Sequence, residues 1–217
     1  MTKPTKSPDR RAVSPKTASG ASRNDILDAA LKVFARDTFE GASLQEIAQI
    51  ANIGQPLVHY HFGTKDSLWR AAIEYALGDL KKFYEAVAIT TVDLEPIDTI
   101  RVLCRAFLQF SSRCPEHVLI VINEMRSSGE RFDWLVENYI KPVHKGIDAL
   151  IESAIARGQM KPIPPAYVTN TMFVALVHFF TIAPLLKSVY EIDTSDPAVI
   201  AAHANFAMQI IFDGIKA

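Results

Sequence analysis

From Gln55 to Lys65 the chain reads QPLVHYHFGTK, a run dense in side chains that can hydrogen-bond. If residues 55–62 form a helix, successive side chains turn by ~100°. Val58 and Phe62 then share one face, Pro56 and Tyr60 point the other way, and Gln55, Leu57 and His59 lie on the flanks. A two-turn helix that buries two residues and presents Gln, Tyr and His outward has the size and chemistry to enter a DNA major groove. Thr64 next caps a further helix with Lys65 and Asp66 in its first turn. The orphan N–H groups of that turn and the Lys65 charge make a phosphate clamp beside the reading helix.

Other chemistries find little support. No Gly-rich phosphate loop, HExxH, CxxC or GxSxG is present. His117, His144, His178 and His203 fall on different expected helices, so no metal site and no cofactor are expected. Cys104 and Cys114, placed on one helix, would stand about 15 Å apart at ~1.5 Å per residue. That is too far for a disulfide and suggests a reducing, cytoplasmic location. The N-terminus shows no apolar stretch of the secretory kind, so no export signal is expected.

The elements that position the reading run are legible upstream of it. Ser22 or Asn24 opens a first helix, with Asp25 placed for a capping box on Ser22. Leu27, Ala30, Leu31 and Phe34 form its apolar stripe, and Asp37-Thr38 and Gly41 end it and redirect the chain. Ser43 starts a second helix with Glu46 three residues later, a second expected capping box, and Leu44, Ile47, Ala48 and Ala51 form the buried stripe. The turn is Ala51-Asn52-Ile53-Gly54. Asn52 tolerates a left-handed conformation, Gly54 caps the next helix and Pro56 suits its first turn.

At 217 residues, 49% hydrophobic and 22% charged, the composition is that of a soluble globular protein with a substantial core. The net charge of −1 conceals an asymmetry. Residues 1–65 hold nine Lys/Arg against six Asp/Glu, or +3, and the remainder is −4. A basic front on an acidic back fits a nucleic-acid head on a body that avoids nucleic acid. Residues 1–21 are rich in Pro, Ser, Thr and Lys and are expected to be a disordered basic tail. Its Lys3, Lys6, Arg10, Arg11 and Lys16 could follow DNA phosphates.

Residues 23–75 resemble the TetR family of bacterial transcriptional regulators, through the first helix, the S-L-x-x-I-A-x-x-A segment and the H-Y-H-F-x-x-K-x-x-L run. The resemblance implies an all-α protein: an N-terminal three-helix helix-turn-helix head on a C-terminal antiparallel helical body that binds ligand and dimerises. It places the head at 22–65 and the body at 66–217. It further implies that Gln55, Pro56, Leu57, His59 and Tyr60 meet the groove of double-stranded operator DNA, while Ser43, His61 and Lys65 hold phosphates or their surroundings. Four positions depart from the pattern. Thr38 stands where Gly is usual, Asn52 replaces the turn Gly, Gly54 replaces a capping Ser, and His59 sits where Tyr is common.

In the body, a fourth helix runs from Asp66 to about Ile89 with Leu68, Ala72, Tyr75 and Leu80 on its apolar face. Helices are then expected from Pro96 to Cys114, from Pro115 to about Arg126, and after Glu130 to Arg157 with a kink at Pro142. Gly158 closes the last of these, and residues 161–165 form a rigid connector. Tyr167–Leu186 is apolar on nearly every side and long enough to span a membrane. Asn170, Thr171, His178, Thr181 and Pro184 favour instead a helix buried on all sides, one face on a cavity and one on a second subunit. A last helix from Pro197 carries Ala201, Ala202, Ala204 and Ala207 beside Val199, Phe206 and Ile210. These last two long helices are the expected homodimer bundle. Phe107, Phe110, Trp134, Phe173 and His178, with Asn123 as hydrogen-bonding group, are the expected pocket for a small hydrophobic or aromatic effector.

The function implied is a repressor released from a pseudo-palindromic operator by such a ligand. A ligand-responsive activator of the same family is the alternative. On the residues alone, a small all-helical enzyme and a membrane-associated helical protein also stay open.

Overall fold

The computed structural model describes residues 22–91 and 93–217. The readings made of residues 1–21, including the five basic side chains, lie outside the described residues. Among the described residues the chain is all-α, with helices α1 (Arg23–Gly41), α2 (Leu44–Ile50), α3 (Gln55–Phe62), α4 (Lys65–Thr90), α5 (Pro96–Arg113), α6 (Glu116–Ser127) and α7 (Glu130–Leu135). A π-helical segment, Val136–Ile140, leads into α8 (Lys141–Ala156), followed by α9 (Pro165–Thr181), α10 (Ala183–Tyr190) and α11 (Pro197–Ile215).

α1 begins on the expected reciprocal cap: Ser22 Oγ accepts from the Asp25 N–H, and the Asp25 carboxylate accepts from the Ser22 N–H. The helix does not stop at Asp37-Thr38. It kinks there, with Thr38 at φ 64° and ψ 175°, and a last turn continues to Gly41. That conformation is essentially reserved for glycine, and a threonine held in it costs ~1–3 kcal/mol. The second expected capping box does not form. Ser43 makes no side-chain cap, and the Glu46 carboxylate does not reach back to the Ser43 N–H because Arg36 takes it at 2.5 Å, a charged partner stronger than an orphan N–H.

α1, α2, α3 and the first half of α4 share one core. Ile26, Leu27, Ala30, Phe34, Ile47, Val58, Leu68, Trp69 and Ala72 are all nearly inaccessible. Ile120 of α6 and Leu135 of α7 belong to the same cluster, so the head's apolar core runs past Lys65 through α4 and reaches α6 and α7 of the body. A second core lies within the body. There Ile100, Cys104 and Leu108 of α5 meet Ile147 and Ile151 of α8, Met172 and Leu176 of α9, and Met208 and Phe212 of α11.

Two expected elements differ. The kink at Pro142 is spread over the preceding turn: Pro142 has no N–H to return to Asn138, and the Lys141 N–H reaches five residues back to Val136. The apolar stretch 167–186 is two helices bent by 67° rather than one. Pro184 cannot donate to the carbonyl four residues earlier, so it sits in the first turn of α10, where no donor is required. Nor is this stretch buried on all sides of the single chain, since Tyr167 and Val174 are exposed. Among the described residues α11 is long and apolar enough to cross a membrane, and α9 with α10 qualifies only as a bent pair.

Candidate nucleic-acid interface and body cavity

The turn before α3 is built as the residue types demand. Asn52 is left-handed at φ 55°, and Gly54, in extended conformation, precedes α3 with Pro56 in the first turn. α3 is anchored by Val58 and Phe62 alone. Gln55, Pro56, His59, Tyr60 and His61 are exposed, Tyr60 at 82%, and Leu57 is half-buried. The Gln55 amide nitrogen lies 3.4 Å from His59 Nε2, while His59 Nδ1 is 3.1 Å from the Gly63 carbonyl. His61 does not bury itself against α1; its ring meets Tyr60 edge-on at 5.3 Å and Phe62 at 6.0 Å.

α4 starts from Thr64, whose Oγ1 accepts from the Ser67 N–H at 3.0 Å. Ser43 is exposed at the start of α2. Lys65 is half-buried and already engaged: its Nζ donates to the Glu40 carbonyl at 3.2 Å and lies 4.8 Å from the centre of the Phe39 ring. Burial holds its pKa below the ordinary lysine range, Glu40 opposes that shift and Arg131 adds to it.

A short helix on two buried anchors, a left-handed turn before it and an outward polar face form a helix-turn-helix reader. The chain matches the family model described as "Bacterial regulatory proteins, tetR family" over residues 26–72. It matches the model "Tetracyclin repressor-like, C-terminal domain" over residues 98–217. The chain belongs to the TetR family. It is accordingly a DNA-binding transcriptional regulator and not an enzyme. It is similar to the HTH-type transcriptional regulator RutR of Escherichia coli (strain K12), with 25% identity over 203 residues covering 92% of each chain. The HTH-type transcriptional repressor NicS of Pseudomonas putida is 25% identical over 201 residues, 89% of this chain and 92% of that one. The structure of AibR in complex with isovaleryl coenzyme A and operator DNA shares the fold, with a TM-score of 0.69 and 19% identity, covering 87% of this chain and 97% of that chain.

In this TetR-family body, α4, α5, α8 and α9 line a narrow cavity with room for about one water, ≈10 Å³ measured at the water's centre. Phe107 and Phe173 line it and meet edge-to-face at 4.9 Å; Tyr84, Cys104 and Thr169 bring the polar atoms. Thr169 Oγ1 donates to Asp148 at 2.6 Å, and His144 stacks on the Phe173 ring at 4.8 Å. Burial pushes the Cys104 thiol up to about 12 and raises the Tyr84 phenol, and it lowers the His144 imidazole. These three groups are therefore neutral near pH 7, and the walls suit an uncharged or aromatic molecule.

The other expected pocket residues are not brought together with these. Phe110 lines a wider open cleft between α1, α4, α5 and α6, beside Lys32, Tyr75 and Arg113. Asn123 donates to the Ala35 carbonyl, and Trp134 packs on Trp69 at 5.7 Å. His178 is exposed beside Thr181. Tyr84, Thr169 and His144 were not read from the sequence. Thr169 and Phe173 share a helix face at i, i+4 and could have been paired. Tyr84 and His144 carry no such local signal.

Proposed function

We propose that this protein is a homodimeric repressor that binds a pseudo-palindromic operator in the cytoplasm and is released by a small hydrophobic or aromatic molecule. The observation that carries the reading is α3 itself, which buries Val58 and Phe62 and leaves Gln55, Pro56, His59 and Tyr60 to solvent. Those residues and Leu57 would meet base edges, while Ser43, His61 and Lys65 would meet phosphates around them. Units 22–65 and 66–217 would serve as reader and sensor. NicS is named a repressor, and AibR was solved with both a coenzyme A thioester and operator DNA. These names favour repression and ligand control here.

The last two long helices supply the pairing surface. Tyr167 and Val174 on α9, and Phe206 and Ile210 on α11, are large, apolar and exposed on the single chain. A two-fold contact through this surface would set two copies of α3 about one DNA turn, ~34 Å, apart. In the body, Phe107 and Phe173 would contact the effector. Their cavity has room for about one water, so a larger ligand must separate α5 from α9 to enter. Affinity for that opened form alone is what would shift the heads out of register with the grooves. Phe110, Asn123, Trp134 and His178 would then act around the site and not in its walls.

Selection from a random duplex library tests the reading. The expected product is a two-fold symmetric sequence with half-sites about one turn apart. Recovery of unrelated sequences, or binding with no saturable component, would overturn it.

A further inference from the structure

We infer that Arg131, a residue of the body, is a positioning residue for the phosphate-binding Lys65 of the head, acting through the Phe39–Glu40 turn. The inference rests on the phosphate role proposed for Lys65 and adds to it the residues that hold that side chain in place.

The turn is shared between the two cations. The Arg131 guanidinium lies 3.7 Å from the centre of the Phe39 ring, and Lys65 Nζ lies 4.8 Å from the same centre. Glu40 serves both as well: its carboxylate accepts from Arg131 Nη2 at 2.5 Å, and its backbone carbonyl accepts from Lys65 Nζ at 3.2 Å. Neither Phe39 nor Glu40 would point this way in a straight helix. The positive φ at Thr38 turns the end of α1 towards α4 and α7, and the Phe34 ring stacks on Phe39 from within the core at 5.9 Å.

Arg131 is itself fixed from the body side. Its Nε lies 3.2 Å from both oxygens of Glu124, a carboxylate only 3% exposed on α6. A buried carboxylate holds its guanidinium partner firmly, because separating them leaves a charge without solvent. Arg131 thus spans Glu124 of the body and Glu40 of the head with one planar fork, a geometry that lysine cannot reproduce.

The consequence falls on Lys65. An ammonium carries three donors, and the Glu40 carbonyl takes one, leaving two for a phosphate oxygen. A lysine held in one place loses less conformational freedom on binding than a free one. A shift of α7 relative to α1 moves Arg131, the turn and Lys65 together. The π-helical segment 136–140 lies between α7 and α8, and Ile147 of α8 lines the body cavity.

Charge-conserving variants at Phe39 and Arg131, compared with and without the Lys65 charge, test this without an operator, since phosphate contacts are independent of sequence. Anisotropy with a labelled 30-bp duplex of random sequence over a NaCl series is measured for the wild type, Lys65→Gln, Phe39→Leu, Arg131→Lys and both double variants, with melting curves to confirm folding. Lys65→Gln is expected to reduce the salt slope by about one. Phe39→Leu and Arg131→Lys should each weaken binding by about threefold when Lys65 is present and have no further effect in Lys65→Gln, the non-additivity of coupled sites. Equal losses in both backgrounds, or no loss in either, overturn the inference. An unchanged slope in Lys65→Gln overturns the phosphate role itself, and the inference with it. If one variant fails to fold, the other carries the test by the same comparison.

Discussion

The side-chain amide of Asn123 in α6 donates to the backbone carbonyl of Ala35 in α1 at 3.1 Å, across 88 positions of sequence. With Arg131 on Glu40 and Ile120 and Leu135 in the head's core, it makes the first helix of the reader part of the body's packing. The two units are joined by α4 in the chain and by the α1–α6 face in space. Removing the amide in Asn123→Ala should cost about 1 kcal/mol, the net value of one such bond. For a chain of this size that is a fall of roughly 2–4 °C in Tm. An unchanged melting point would show that the bond contributes nothing to holding α1.

Thr38 offers the opposite result. Its φ of 64° with ψ 175° suits glycine, so Thr38→Gly should stabilise the protein by about 1 kcal/mol after glycine's greater unfolded-state freedom is subtracted. Thr38→Ala, which keeps a Cβ, should bring no such gain. Urea midpoints separate them, and destabilisation by glycine would mean that the threonine is unstrained.

Gln55 and Lys65 should fail in different ways. Gln55→Ala is expected to relax preference at its contacted base pair by ~1–3 kcal/mol, measured against singly substituted duplexes from the selected site. Lys65→Gln should weaken all of those duplexes alike. The reverse pattern would exchange the two roles.

His117 sets an acid limit on stability. It is buried against Phe107 and Phe110, its Nδ1 is bonded to the Cys114 carbonyl, and burial pushes its pKa down to about 4. The native pKa lies below the ordinary value of 6.5, so between those two pH values the unfolded chain binds the proton that the native chain refuses. The contribution is whole above pH 6.5 and is lost progressively as pH falls to 4, for a total of about 3 kcal/mol at one pKa unit per ~1.4 kcal/mol. His117→Phe should flatten this part of the stability–pH curve, and denaturant melts at pH 4.5 and 7 compare the two proteins. An equally steep curve in the variant assigns the acid sensitivity to other groups.

The exposed apolar face gives the last test. Phe206→Glu and Ile210→Glu place charge one helical turn apart on the same side of α11. Sedimentation should show a dimer for the wild type and a monomer for the double variant, with operator affinity lost along with the dimer. A monomeric wild type would remove the proposed pairing surface.

The reader was legible because its signals are local. Ser22 with Asp25, Asn52 before Gly54, Pro56 in a first turn and Val58 with Phe62 lie within four residues of one another, and each constrains its own backbone. Where the reading failed locally, a distant partner won. Glu46 abandoned its cap for Arg36, ten positions away, and Thr38 took a glycine's conformation because Phe34, Glu40 and Arg131 hold the turn around it.

The body divided along the same line. Apolar periodicity marked the helices, and Phe107 and Phe173 do line one cavity. Periodicity cannot say which faces meet, so Asn123 and Trp134 proved to bind the head to the body, while Tyr84 came to the cavity, and His144 to the Phe173 ring behind it, from helices far apart in sequence. By itself, the sequence determined the family, most of the helix positions and the outward face of α3, all of which follow from neighbours within one or two turns. Only the tertiary structure decided that Lys65 shares its aromatic ring with Arg131, because that contact depends on the packing of α1, α4 and α7 and not on any spacing along the chain.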